Sequence, residues 1–265
     1  MIKCSVCILT FNSGRTLEKC LDSVKDFSDI IILDGGSADD TLEIAKKYGA
    51  RIFPQQEGQT GVIEDYTSVR EKLFFYAKED WRLWLDSDEW LSEEMRREVA
   101  RITTEEKGNV LYSFGSKIVI GGKIIEHAYF YPLRYNRLFN KQSDVSWQKG
   151  KKVHEKLVLG PNSIVKDSPA VFYHIWDKSF DEFIKKDNHY LDLTVKGKEA
   201  FPFRKKAWIA YINILKAAKV FLKSIGVYLA HGFKDALPPL FTWRFMRYHL
   251  MYAKKILFIC RPLKS

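Results

Sequence analysis

The chain has 265 residues, 46% of them hydrophobic, which is enough apolar content for a sizeable core and excludes an intrinsically disordered protein. Its formal net charge is +10, but residues 201–265 hold 13 of the 43 Lys and Arg residues and only one of the 33 acidic residues. Because the first 200 residues are nearly neutral, the basic segment indicates contact with an anionic surface, either phospholipid headgroups or nucleic-acid phosphates.

The first hundred residues alternate between apolar strands and amphipathic helices. Periodicity and turn residues predict these elements in chain order: a strand at Ile2–Thr10, a helix over Leu17–Val24, a strand at Ile30–Leu33, a helix over Leu42–Tyr48, a strand at Arg51–Pro54, a helix at Gly61–Ala77, a strand at Trp81–Leu85, and a helix capped by Ser92. This alternation is typical of a mostly parallel sheet covered by helices on both faces. The sequence therefore predicts an α/β fold that begins with a nucleotide-binding type of unit.

The pattern changes in the second half of the chain. Short β-rich pieces from Val110 to His174 predict an added mixed sheet that builds the other wall of a cleft. Helical periodicity then dominates, with a break at Pro238-Pro239. We therefore expect an α/β catalytic domain over residues 1–200 and a basic, aromatic helical extension over residues 201–265.

The cysteines favour a reducing compartment. Cys4, Cys7, Cys20 and Cys260 occur in a chain that shows no N-terminal signal peptide, which predicts a cytoplasmic protein without disulfides. Cys4 and Cys7 lie three apart in an apolar strand and should face opposite sides of the sheet, so we interpret both as core thiols. No uninterrupted apolar span of about 20 residues is present to cross a bilayer.

Two carboxylates, Asp86 and Asp88, follow directly on the apolar strand at Trp81–Leu85. In open α/β sheets, ligands bind at the carboxyl ends of the strands. Two adjacent carboxylates are electrostatically unfavourable there unless a cation lies between them or a metal arrives with a bound diphosphate. The alternative is a solvated turn or helix cap, because an Asp-x-Asp motif is short.

Asp34 is a second candidate, since it also ends a buried strand and precedes the flexible pair Gly35-Gly36. A carboxylate at this place can accept hydrogen bonds from a nucleoside base or ribose, and its alternative role is helix capping. The chain has no Gly-x-Gly-x-x-Gly and no Gly-Lys-Ser/Thr motif. A Rossmann dehydrogenase and a P-loop enzyme therefore lose their main support.

Three blocks of the sequence, taken in order, resemble the family 2 inverting glycosyltransferases of the GT-A fold. They are SVCILTFN at residues 5–12, IILDGGSADDT at residues 31–41 and WLDSDE at residues 84–89. The branch that includes lipopolysaccharide-core glucosyltransferases is similar also at Asp65–Arg70, at Val153-His154-Glu155 and at Tyr173-His174. The resemblance covers residues 1 to about 195 and is weak beyond.

The resemblance implies a role for each matching residue. Donor or substrate contacts are implied for Thr10, Asn12, Asp34, Asp65, Arg70, Asp86 and His154. Of these, Thr10, Asn12 and Asp34 would hold the nucleoside, and Asp86 would contact ribose or metal. Asp88 would bind Mg²⁺ or Mn²⁺ on the diphosphate, while His174 would complete the metal site or touch the diphosphate. Glu71 stands where the family often has Asn after Arg, so a contact made by that Asn is not expected here.

Sugar transfer has two chemical requirements: neutralising the departing nucleoside diphosphate and removing a proton from the acceptor hydroxyl. A hard cation held by Asp88 meets the first. For the second the candidate base is Glu155, with Asp144, Asp167 and Asp177 as rivals, and an in-line displacement with one base inverts the anomeric centre. The alternative interpretation of His174 is a purely structural residue.

Two other functions are compatible with parts of the sequence. A sugar nucleotidyltransferase can share the architecture and an Asp-based metal site, but the slight Asn12-Ser13-Gly14-Arg15 turn is a poor match to its Gly-rich basic loop. A non-enzymatic nucleic-acid binder would use the basic tail and leaves the aspartates unexplained.

The basic, aromatic helices predicted over residues 201–265 are of the kind that binds at a bilayer interface. The alternative is that they form a helical cap packed on the catalytic domain. We expect a cytoplasmic enzyme, peripheral on the cytoplasmic face of the membrane. Its acceptor would be a glycan, glycolipid or protein in cell-envelope polysaccharide or lipopolysaccharide synthesis, and no nucleic-acid partner is expected.

Overall fold

The computed structural model describes residues 1–55, 66–106, 108–143, 145–147, 157–176 and 179–259. The chain forms two compact units. The first comprises Met1–Ile118 and Pro132–Ile175, and the second comprises Val119–Tyr131 and Trp176–Ser265. The boundary expected after residue 200 falls inside the second unit.

The described elements follow the predicted alternation. The strands are β1 (Ile2–Thr10), β2 (Phe27–Asp34), β3 (Arg51–Pro54), β4 (Trp81–Asp86), β5 (Glu89–Leu91), β6 (Val110–Ile120), β7 (Lys123–Ile124), β8 (Leu133–Asn140), β9 (Val145–Trp147), β10 (Leu157–Leu159) and β11 (Ile164–Ile175). The helices are α1 (Gly14–Asp22), α2 (Thr41–Lys47), α3 (Tyr66–Phe75), α4 (Glu93–Glu105), α5 (Phe180–Val195), α6 (Phe203–His231) and α7 (Pro239–Phe258). The α/β class and the helical C-terminal extension are thus confirmed.

The main sheet of the first unit has the strand order β3-β2-β1-β4-β8-β6-β11-β5. Its first four strands pair in parallel, as the alternating pattern of the first hundred residues predicts. The later β-rich segment joins in antiparallel pairs, β8 with β4 and with β6, and β11 with β5, so the sheet as a whole is mixed. Separately, β9 and β10 pair antiparallel.

The three strands β2, β1 and β4 end level with one another. Thr10 at the end of β1 is in register with Asp34 on β2, and the preceding Leu9 is in register with Asp86 on β4. From β1 the chain continues to β2 and β3 on one side and later returns to β4 on the other. Such a change of direction opens a crevice at the carboxyl ends of the strands, which is where ligands bind in this class of sheet.

Helices cover both faces of the parallel strands, and the side chains of β1 alternate between them. Cys4 packs in the cluster that contains Leu17 of α1 and Met95 of α4, whereas Cys7 packs with Val69 of α3. Both thiols are free and fully buried, and burial raises the pKa of each well above its ordinary value. The interpretation of these two residues as core thiols on opposite faces is confirmed, while Cys260 lies outside the described residues.

The second unit is mainly helical. Ser179 begins α5 with a capping box in which its hydroxyl accepts from Glu182 N and the Glu182 side chain accepts from Ser179 N. The long helices α6 and α7 pack on each other, with Ala210, Ala253 and Ile256 buried between them. Across the described residues, no helix is both long and apolar enough to span a membrane.

Candidate active site at the carboxyl ends of three parallel strands

Where the carboxyl ends of β1 and β2 lie side by side, four hydrogen bonds fix the carboxylate of Asp34. One oxygen accepts from Thr10 Oγ1 (2.7 Å) and Ser37 Oγ (2.6 Å), and the other from the backbone N–H groups of Gly36 (2.8 Å) and Ser37 (2.7 Å). Thr10 and Asp34 are both buried. Four acceptor positions are about the capacity of a carboxylate, so Asp34 is held in one orientation.

The turn after β2 leaves no room for a side chain at Gly35. A Cβ atom there would lie 2.9 Å from Gln55 Oε1 and 3.3 Å from the ring of Phe11. Gln55 is itself anchored, because its amide nitrogen donates to the carbonyl oxygens of Thr10 and Leu33. The Gly-Gly pair therefore lets the backbone pass close to the end of β1.

Asn12 has a left-handed backbone conformation (φ 47°), which Asn tolerates better than most residues. Its side-chain oxygen accepts from Ala38 N (2.9 Å), and its backbone N–H donates to Ser37 Oγ (2.8 Å). The exposed Asn12 thus ties the loop after β1 to the loop after β2. A further link, between Ser13 Oγ and Ser87 Oγ (2.9 Å), ties the same loop to the turn after β4.

Asp86 ends β4 beside two arginines. Trp84 donates from Nε1 to Asp86 Oδ1 (3.1 Å), and its ring faces the Arg70 guanidinium (3.5 Å from carbon to ring centroid) and that of Arg137 (4.6 Å). Arg137 Nη2 and Arg70 Nη2 lie 3.5 and 4.0 Å from the Asp86 carboxylate oxygens. Partial burial alone would raise the pKa of Asp86, but Arg137, Arg70 and His174 outweigh it and hold the pKa below its usual range.

Beneath Asp86 lies a buried ion pair that sequence reasoning missed. Arg137 Nη2 donates to Glu89 Oε1 (2.5 Å), and both side chains are at most 4% exposed. The other Glu89 oxygen accepts from Asp86 N (3.0 Å), which closes the turn between β4 and β5. Burial raises the pKa of Glu89, and the adjacent Arg137 guanidinium opposes this rise and favours the ionised carboxylate. Glu89 belonged to the recognised WLDSDE block, but Arg137, 48 residues later, had no local signal.

Asp88 and His174 meet because β11 runs antiparallel to β5. His174 is in register with Glu89, and its Nε2 lies 3.3 Å from Asp88 Oδ2. Burial would lower the pKa of His174, but Asp88 raises it above its ordinary value. The structure therefore brings together the two residues that the sequence suggested as metal ligands.

The protein supplies few metal ligands of its own at this place. Across the described residues there is no group of three or more His, Cys, Asp or Glu side chains arranged to hold a metal ion. The Asp88 carboxylate nevertheless fits an ion that takes its remaining ligands from substrate phosphates and water, which is the usual arrangement for Mg²⁺ with nucleotides. The imidazole nitrogen of His174 is a ligand more typical of transition metals. The donor set therefore suits a metal that arrives with a diphosphate.

The site thus collects Thr10, Asn12, Asp34, Arg70, Asp86, Asp88 and His174 at one edge of the first unit. Three other predicted site residues, Asp65, His154 and Glu155, lie outside the described residues. His154 and Glu155 belong to the segment that connects β9 to β10. Among the rival bases, Asp167 pairs with Arg134 (3.0 Å), and Asp144 and Asp177 also lie outside the described residues.

The family profile described as Glycosyl transferase family 2 matches residues 5–155, more than half of the chain. This span contains Asp34, Asp86 and Asp88, around which the site is built. The chain therefore belongs to glycosyl transferase family 2, and its fold is of the GT-A type. That membership favours sugar transfer over nucleotidyl transfer.

Two curated relatives illustrate the range of similarity. The SPbeta prophage-derived glycosyltransferase SunS of Bacillus subtilis (strain 168) is 31% identical over 151 residues, which are 56% of this chain and 33% of SunS. A glycosyltransferase of Rickettsia prowazekii (strain Madrid E) is 28% identical over 265 residues, covering 93% of this chain and 86% of that protein. The chain thus spans about a third of the length of SunS, but most of the length of the Rickettsia protein.

Solved structures show a looser likeness. Residues 1-349 of S. aureus TarS in complex with UDP align with a TM-score of 0.47 at 14% identity, covering 96% of this chain and 90% of that one. The glucosyl-3-phosphoglycerate synthase of Mycobacterium tuberculosis, solved with Mn²⁺, UDP and glucosyl-3-phosphoglycerate, aligns with a TM-score of 0.34 at 22% identity, covering 45% of this chain and 44% of that one.

Proposed function

We propose that the chain transfers a sugar from a nucleoside-diphosphate sugar to an acceptor hydroxyl, with inversion at the anomeric carbon. One observation carries this proposal. Asp34 and Asp86 end the two parallel strands that flank β1, and Asp88 lies in the turn after β4, at the point where the strand order reverses. Family 2 membership supports a glycosyl-transfer role for that edge.

The nucleoside is assigned to the corner formed by Thr10, Asn12 and Asp34. Because Asp34 already accepts four hydrogen bonds, a nucleoside N–H or O–H binds it by displacing one of the two hydroxyl donors. Ser37 is the candidate for displacement, since it is half-buried whereas Thr10 is buried at the strand end. Thr10 then keeps the carboxylate aimed at the nucleoside.

The diphosphate is assigned to the turn after β4. Asp88 and His174 would hold Mg²⁺ or Mn²⁺ there, and the bound cation would supply Lewis-acid neutralisation of the leaving phosphate oxygens. Arg70 and Arg137 balance the charge of Asp86, so that this carboxylate remains ionised beside Asp88. Asp86 is thereby available to a ribose hydroxyl or to the metal.

The acceptor step is assigned to Glu155. The acceptor oxygen forms its bond to the anomeric carbon while the bond from that carbon to the phosphate oxygen breaks, the nucleoside diphosphate leaves with the electron pair, and the proton passes to the Glu155 carboxylate. Asp167 is a weaker rival on geometric grounds. It precedes His174 by seven residues on the same strand, about 23 Å at about 3.3 Å per residue.

We extend the proposal to the biosynthetic role of the enzyme and its place in the cell. The resemblance to the lipopolysaccharide-core branch suggests a role in lipopolysaccharide or other cell-envelope polysaccharide synthesis, with a glycan, glycolipid or protein acceptor. The basic extension over residues 201–265 suggests a peripheral position on the cytoplasmic face of the membrane.

A donor screen tests the proposal. The full chain is heated with individual nucleotide sugars, with Mn²⁺ or with EDTA, and the midpoint of unfolding is recorded. A donor present at 100 times its dissociation constant adds about 2.7 kcal/mol to the free energy of unfolding, which shifts the midpoint measurably. We expect at least one nucleotide sugar to stabilise the protein only when Mn²⁺ is present. Equal behaviour in Mn²⁺ and EDTA for every donor would contradict the metal assignment.

A further inference from the structure

Two groups of basic residues in the second unit differ in their surroundings. In the first group, the cations form ion pairs or hydrogen bonds with other residues of the unit. Arg244 makes a bidentate pair with Asp187 (2.7 and 2.8 Å), and Lys255 pairs with Asp192 on the same helix, α5. Lys206 is buried and donates to the carbonyl oxygen of Ile259 (2.9 Å). These residues fasten the helices of the unit to one another.

The second group projects from α6. Lys216, Lys219 and Lys223 are exposed, and no acidic residue among those the structure describes lies within ion-pair distance of them. Helix α6 itself contains no Asp or Glu in its 29 residues. Lys216, Lys219 and Lys223 therefore form an uncompensated positive stripe.

Beside that stripe, the outer face of α6 is apolar. The buried residues Ala210, Ala217 and Ser224 mark the side of the helix that packs against the rest of the unit. The opposite side of α6 carries exposed apolar residues that recur every seven positions: Trp208, Leu215, Leu222 and Leu229. Tyr211 lies on the same outer side. Trp208, Leu222 and Leu229 are 63, 66 and 84% exposed.

This surface is too apolar to be an ordinary solvated helix face. A helix of 29 residues is about 43 Å long, and the exposed apolar side chains from Trp208 to Leu229 form an apolar strip along most of that length. Soluble monomers rarely expose contiguous apolar patches larger than a few hundred Å², and larger patches mark interaction sites. The strip and the lysine stripe together define what we name the α6 outer face: Trp208, Tyr211, Leu215, Leu222, Leu229, Lys216, Lys219 and Lys223.

We propose that the α6 outer face lies in the plane of an anionic bilayer surface, with its apolar strip inserted at the headgroup boundary and its lysines on lipid phosphates. An apolar face edged by lysines and carrying Trp and Tyr has the chemistry of an interfacial helix. A second copy of the chain fits less well, since pairing two such faces brings two uncompensated lysine stripes together. This inference rests on the peripheral membrane position proposed above, which it assigns to one helix face, and it does not depend on the sugar-transfer reaction. It assigns no membrane role to the paired cations of α7.

Vesicle flotation with the full chain tests the charged part of the face. Vesicles are made of phosphatidylcholine alone or with about a third phosphatidylglycerol. Each lysine near an anionic surface is worth about fivefold in affinity, so the triple variant K216Q/K219Q/K223Q should bind the anionic vesicles on the order of 100-fold more weakly. The matched control K3Q/K46Q/K185Q removes three other exposed lysines and should bind nearly as well as the unmodified chain.

The apolar part is tested with L222S/L229S, which should weaken binding by on the order of tenfold per residue. Its control, F75S/L193S, removes exposed apolar side chains from α3 and α5 and should leave binding unchanged. Circular dichroism confirms that each variant is folded. Equal losses in the test and control variants, or no binding to anionic vesicles, would overturn the proposal. A dimer in sedimentation that L222S/L229S abolishes, without vesicle binding, would assign the face to a second copy instead.

Discussion

Replacing Arg137 by Met should destabilise the protein strongly, because it leaves Glu89 as an unpaired charge in the interior. The two groups are 2.5 Å apart and at most 4% exposed, so water cannot take over the role of the guanidinium. Breaking a buried pair by removing one partner typically costs about 3–5 kcal/mol. Since single domains are stable by about 5–15 kcal/mol, this loss is a large fraction of the total.

The double variant R137M/E89Q separates this cause from simple loss of packing. Removing both charges of a buried pair is often far less harmful than removing one. The side-chain amide that E89Q introduces would also keep an oxygen that can accept from Asp86 N. We therefore expect the double variant to be more stable than R137M alone, by about 1–3 kcal/mol. Lys47→Met, which breaks the exposed pair with Glu18, should change stability by less than about 1 kcal/mol.

Equilibrium urea denaturation, followed by circular dichroism and tryptophan fluorescence, measures these differences. The slope of the free energy against urea concentration should be the same in all variants, so that the midpoints report stability. A double variant that is no more stable than R137M would show that the uncompensated Glu89 charge is not what destabilises the single variant.

Three further predictions concern two glycines and the proposed base. Gly35→Ala should lower the free energy of unfolding by about 1–3 kcal/mol, since its Cβ would lie 2.9 Å from the anchored Gln55 amide oxygen. In contrast, Gly226→Ala on α6 has no atom within 4 Å of the new Cβ and should stabilise by about 0.4–1 kcal/mol in the same urea assay. Glu155→Gln should reduce sugar transfer by about 10² to 10⁴ while donor affinity is retained, and Asp167→Asn should leave the transfer rate nearly unchanged. Near-normal transfer by Glu155→Gln would move the role of base to another carboxylate.

The parallel half of the sheet could be predicted because each of its strands has a local signal. The apolar runs at Ile2–Thr10 and Arg51–Pro54 have the bounds seen in β1 and β3. Ser92 caps α4 as its sequence context indicates, with its hydroxyl accepting from Met95 N. Short-range periodicity and capping chemistry are sufficient for such elements.

The charged interior under Asp86 could not be predicted in the same way. In the sequence, Arg137 looks like an ordinary polar residue of a β-rich segment. Only the pairing of β8 with β4 and β6 brings its side chain to Glu89. Likewise, the basic residues of the tail look equivalent in composition. Their division into paired residues, such as Arg244, and exposed ones, such as Lys219, depends on which helix face packs against α5 and α7.

Isothermal titration of nucleoside diphosphates measures whether this strand edge binds a donor together with a metal ion. UDP, GDP, ADP and CDP are titrated into the full chain in Mn²⁺ and in EDTA. We expect at least one to bind at least about tenfold more tightly in Mn²⁺. Asp88→Asn should abolish this dependence by removing a charged oxygen ligand, whereas the exposed control Asp22→Asn should retain it. Unchanged Mn²⁺-dependent binding by Asp88→Asn, or no binding of any nucleoside diphosphate, would contradict the assignment of this strand edge to a metal-bound nucleotide-sugar donor.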